Sequence, residues 1–132
     1  MAATVTELLE QLSANYQQQF MLYQKVHQIA QAEGVLIETQ ETLQLIELLH
    51  CAEEIMRRIQ ELEEPQNKNR ELLRRILPGN NLSLDLLACL TETPVFLRYK
   101  KALAQMAELL AEIEEIKNKN ILRLAQMRLA KN

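Results

Sequence analysis

Tryptophan is absent from this chain, glycine occurs only at Gly34 and Gly79, proline only at Pro65, Pro78 and Pro94, and aromatic residues make up just 4% of it. So few chain breakers leave room for long elements only, and a β-sandwich, which needs a turn every few residues, is excluded. Apolar residues are nevertheless 48% of the chain. The buried volume therefore has to come from leucine, isoleucine, alanine and methionine, most of them good helix formers. Cys51 and Cys89 are the only cysteines, too few and too far apart for a disulfide framework. No apolar run approaches the roughly 18 residues of a membrane span. The first dozen residues lack a basic stretch and carry Glu7 and Glu10, unlike a secretory signal. The expectation is a soluble, cytoplasmic protein without membrane insertion.

A length of 132 residues suits one core. We expect a single helical-bundle domain over 1–132, with 116–132 as an extended or partly ordered C-terminal helix. The fold class expected is all-α: an antiparallel bundle of three long helices with a short connector helix, the second long helix kinked or broken near Pro65. The first stripe runs Val5, Leu9, Leu12, Tyr16, Tyr23, Val26 and Ala30, with Gln19 on the seam, and Gly34 reads as the C-terminal cap of a helix from Thr4 to Glu33. Val35, Leu36 and Ile37 then read as a buried turn, and Thr39 as the N-cap of the second helix.

That helix carries Leu45, Leu48, Ala52, Ile55, Ile59 and Leu62, flanked by Ile46, Leu49 and Met56. Its phase continues past Pro65 through Gln66, Asn69, Leu73 and Ile76, so the interrupted helix stays nearly collinear although an interior proline costs about 3 kcal/mol. A connector helix from Leu84 to Leu90 is capped by Ser83. Thr93-Pro94 starts the third long helix. Its stripe of Tyr99, Ala102, Met106, Leu109, Ile113 and Ile116 reaches Asn120 and Leu124, and beyond Ile116 the apolar face is wider than one neighbour covers.

Charge is unevenly spread. Residues 1–54 hold eight acids against one base, residues 55–132 ten acids against fourteen bases, and no acid follows Glu115. The chain is acidic overall and its bases are interleaved with glutamate on at least two of the three long helices, unlike the net basic face of a phosphate-tracking protein, so nucleic-acid binding is not expected. Glu47 and His50 have the Glu-x-x-His spacing of carboxylate-bridged dimetal bundles, but those bundles use the unit twice and add two more glutamates. Here the only other histidine is His27, with Gln24 three residues before it. His50 and Cys51, one residue apart on a helix, point about 100° away from each other and form no nucleophile and base pair. Cys51 reads as a small buried thiol. No glycine-rich loop precedes a helix. Neither an enzyme nor a cofactor or metal is expected. Met106 and Met127 add flexible, polarizable side chains that suit a surface accepting a changing partner.

The layout resembles the FlgN family of flagellar type III export chaperones. The likeness begins with a long first helix with a central aromatic segment, Tyr16-Gln17-Gln18-Gln19-Phe20-Met21-Leu22-Tyr23, and continues in Thr42-Leu43-Gln44-Leu45-Ile46-Glu47-Leu48-Leu49, Ile59-Gln60-Glu61-Leu62-Glu63 and Arg70-Glu71-Leu72-Leu73. It closes on a leucine-rich helix, Leu109 to Asn120, ending in Asn118 and Asn120. Pro65 interrupts helix where the family pattern is continuous, and the arginine after the Leu-Glu segment is delayed to Arg70. The resemblance implies a cytoplasmic chaperone for the C-terminal helical segments of hook-filament junction (hook-associated) proteins, which it keeps unassembled and delivers to the export gate. It places partner binding on Leu109, Ile113, Ile116, Asn120, Ile121 and Leu124, to which the methionine argument adds Met106. The alternative is a structural coiled-coil or adaptor subunit, a homo-oligomer that self-associates through its helices.

Overall fold

A computed structural model describes residues 4–80 and 82–131. Three long helices and one short one pack against each other: α1 (Val5–Glu38), α2 (Thr42–Ile76), α3 (Leu84–Leu90) and α4 (Thr93–Lys131), with a 3-10 turn at Pro78–Asn80. There is no strand among the described residues.

Local chemistry explains the boundaries. Thr4 caps α1, its hydroxyl oxygen accepting the Glu7 N–H at 3.1 Å, and Glu7 brings a carboxylate to the positive end of the helix. At the other end the structure corrects the sequence reading: α1 passes through Gly34 and continues four residues to Glu38, so Gly34 is no cap and residues 35–37 are helix. The left-handed residue that ends α1 is Gln40, with φ 58°. The Glu41 N–H reaches back to the Leu36 carbonyl at 3.0 Å, the wrapped geometry that closes many helices. Thr39 serves this terminus rather than the start of α2, its hydroxyl donating to the Val35 carbonyl at 3.0 Å. Downstream, α2 runs as one helix through Pro65; of the seam expected beyond it Gln66 and Leu73 are buried and Asn69 half-buried, but Ile76 is exposed and Leu77, one residue past the helix, is buried in its place. Gly79, with φ 67°, turns the chain toward α3, which spans the expected residues. The Glu92 carbonyl accepts the Phe96 N–H at 3.0 Å, so α4 opens on Thr93 and Pro94 falls in its first turn, where a missing N–H leaves no bond unmade.

The packing divides into two compact units, and each long helix gives a segment to both. The first comprises Met1–Phe20 and Gln60–Met106. Leu8, Leu9 and Leu12 of α1 are buried there with Leu73 of α2, Leu87 of α3 and Val95 of α4. Each large apolar side chain so removed from water contributes about 1.5–3 kcal/mol. Tyr16 and Tyr99 pack with tilted rings, centroids 6.2 Å apart. Arg70 donates to the Tyr16 hydroxyl at 2.8 Å, with its guanidinium 5.9 Å from the centre of the same ring.

The second unit comprises Met21–Ile59 and Ala107–Asn132. Its buried residues are Val26, Ala30 and Ile37 of α1, Ile59 of α2, and Leu109, Ile113 and Asn120 of α4, with Gly34 also buried. Over residues 42–58, α2 contributes half-buried side chains only. The α2 segment is thus the least enclosed member of this unit.

Candidate partner-binding surface

Asn120 occupies an apolar seam, and the structure shows what satisfies it. Its side-chain amide donates to the Ala30 carbonyl at 2.8 Å, and its oxygen accepts from Arg123 at 3.2 Å. Arg123 also pairs with Glu38 at 3.2 Å, so one polar cluster ties α4 to α1 near the end of α1. Eight residues earlier on α4, Glu112 lies 3.5 Å from His27 of α1. Gly34 makes this approach possible, because a methyl group there would lie 2.8 Å from the Asn120 oxygen and closer still to the Arg123 guanidinium.

Beyond Asn120 the α4 seam continues through Leu124 and Met127, but α1 has ended and covers them less. The result is an open apolar cleft of about 270 Å³. Its floor is Leu36 and Ile37 of α1, and its walls include Thr42 and Leu45 of α2 and Leu124, Met127 and Arg128 of α4. Helical spacing extends both walls. Ile46 and Leu49 follow Thr42 and Leu45 along α2, while Ile121 precedes Leu124 by three residues on α4. Ile46, Leu49, Ile121 and Leu124 are all exposed, Ile121 by 63%. Further exposed apolar residues stand beside these rows: Leu43 at 79%, Leu122 and Leu129. Scattered leucines on a surface are ordinary, but a contiguous apolar patch marks an interaction site.

Electrostatics distinguishes the walls. Arg128 borders the cleft and forms no ion pair with a described residue. Glu33, one turn before Leu36 and Ile37, titrates above its ordinary value because burial disfavours its carboxylate, an effect that nearby Lys117 partly offsets.

Of the seven residues expected to bind a partner, Met106, Leu109, Ile113 and Asn120 are buried within their units. Ile116 is half-buried, and Ile121 and Leu124 are exposed. A seam cannot serve the core and a partner at once, so the available surface lies at the C-terminal end of α4 and includes α2 residues. Ile46 and Leu49 were legible as apolar positions widening the α2 stripe, whereas Leu43 was not; what no pattern revealed was which flank α1 and α4 leave uncovered. Elsewhere, Cys51 and Cys89 are exposed free thiols, so Cys51 is not the buried residue expected. His50 is a surface residue 3.8 Å from Glu53. No group of three or more metal-ligating side chains occurs among the described residues. No helix among them is long and apolar enough to cross a membrane.

No protein-family model matches this chain, and neither a curated protein nor a solved structure matches it.

Proposed function

We propose that this protein is a cytoplasmic export chaperone of the flagellar type III system, which holds the C-terminal helical segments of hook-associated proteins, prevents their premature assembly and hands them to the export gate. The proposal takes the three long helices as an antiparallel bundle with α2 kinked at Pro65. It assigns the chain no catalytic role. The observation that carries it is the apolar cleft between the start of α2 and the end of α4, lined by Leu45, Leu124 and Met127, with exposed Leu49 and Ile121 one turn further along the same two helices. A groove with anchors at three, four and seven residues suits an amphipathic helix. A segment that must remain unfolded until export loses net affinity to the ordering it undergoes on binding, which keeps release easy.

The buried position of Ile113 makes its substitution a test of folding rather than of binding. Ile121→Asp with Leu124→Asp changes exposed residues and separates the two. Titration calorimetry with peptides from the C-termini of hook-filament junction proteins should show binding to the native chain and at least a tenfold loss in this variant. Unchanged circular dichroism would accompany that loss. The same affinity in the folded variant removes this surface from the proposal, and no binding to the native chain removes the chaperone function.

A further inference from the structure

Two segments of the second unit leave apolar outer faces uncovered, and they carry opposite charge. Residues 42–54 of α2 expose Leu43, Ile46 and Leu49 and hold Glu47, Glu53 and Glu54 with no base. Residues 116–131 of α4 expose Ile121, Leu122, Leu124 and Leu129 and hold five bases with no acid. Both segments border the same cleft. Their charges are only partly neutralised within the chain: Glu54 pairs with Arg57 and Arg58, Lys119 with Glu115 and Arg123 with Glu38, and Lys117 acts on Glu33, while Glu47 and Arg128 form no ion pair with a described residue.

A partner helix of one charge sign would satisfy one strip and be repelled by the other. A second copy satisfies both. Rotation about a two-fold axis sets the acidic apolar strip of each copy over the basic apolar strip of the other, so the face is complementary to itself. We infer that this protein forms an isologous dimer through the face that joins the start of α2 to the end of α4. The inference stands apart from the chaperone proposal, since it requires no export substrate. Where both hold, the dimer covers the surface a substrate needs, and substrate binding is linked to dissociation by mass action.

Sedimentation equilibrium on the full chain from about 1 to about 200 μM tests it, because a dimer held by such a face is populated according to concentration. The mass should rise from one copy toward two. Raising salt from about 0.05 to about 0.5 M should weaken association at least tenfold through screening of the charged strips. Two variants, Lys117→Glu with Lys119→Glu and Arg128→Glu, and Glu47→Lys with Glu53→Lys, should each be monomeric, and an equimolar mixture of them should form a heterodimer, since both crossed contacts are then attractive. Ile121→Asp, at an exposed position, should also weaken the dimer while far-ultraviolet circular dichroism is unchanged. A chain that stays monomeric throughout overturns the inference. So does a dimer indifferent to salt, or a mixture of the charge variants that does not associate.

Discussion

The side-chain oxygen of Asn120 lies 2.8 Å from where a methyl group on Gly34 would stand. The missing side chain of one residue is therefore the space the other uses to reach the Ala30 carbonyl. In an exposed helix Gly→Ala is stabilising by about 1 kcal/mol. Here Gly34→Ala displaces a buried amide from its bond, a loss of about 1–3 kcal/mol. The Arg123 end of the clash is a flexible side-chain tip that swings aside easily. We expect Gly34→Ala to lower stability by about 1 kcal/mol in urea denaturation, and to raise it by a similar amount in an Asn120→Ala background, a reversal that a double-mutant cycle detects. Equal effects in both backgrounds would show that the two residues do not interact.

Gln40 ends α1 with φ 58°, a conformation that crowds a side chain and suits glycine. Gln40→Gly is expected to stabilise the protein by about 1 kcal/mol, as an upward shift of the denaturation midpoint with unchanged slope. A downward shift would mean that the Gln40 side chain itself supports the turn.

Tyr99 titrates high, pushed from 10 to about 12, chiefly by burial and then by the neighbouring Tyr16, with Arg70 acting in the opposite sense. Its proton is bound more tightly in the folded chain than in the unfolded one. The stability this represents is complete below pH 10 and is lost as pH rises toward 12. Tyrosinate absorbance should therefore show one tyrosine titrating late, and Tyr99→Phe should flatten the alkaline fall in stability. A variant with the native alkaline profile would assign that loss to other groups.

Burial raises the Glu33 carboxyl above its ordinary value, so its folded form also holds its proton more tightly than the unfolded chain does. Stability from this group is present below the unfolded value and declines as pH rises through the folded one, which makes the ionised side chain unfavourable at neutral pH. Glu33→Gln should stabilise the chain near neutrality and change little in acid, below the ordinary carboxylate range. Destabilisation near neutrality would mean that attraction to Lys117 outweighs burial.

Much of this architecture is legible in the pattern of residues. Helix α3 falls on Leu84–Leu90 as expected, with Ser83 at its N-cap position and Asp85 in its first turn, although the Ser83 side chain makes no capping hydrogen bond. The seam of α2 keeps its phase across Pro65 into buried Gln66 and Leu73, because side-chain spacing depends on the helix as a whole and not on one missing hydrogen bond. Gly34 misled for a physical reason. Glycine permits a left-handed cap, and it equally permits another helix to come close; only the neighbour decides which.

The partner surface divides in the same way. The sequence by itself determined that the chain is helical, that α4 carries apolar side chains past Asn120, and that its last stretch is basic, since these follow from periodicity and composition. Tertiary structure decided that Met106, Leu109, Ile113 and Asn120 are used internally, that Leu124 and Ile121 are left open, and that the start of α2 completes the same cleft. A stripe states that a helix must bury a face. Where α1 ends at Glu38, four residues beyond the glycine that looked like its end, determines how much of that face remains uncovered.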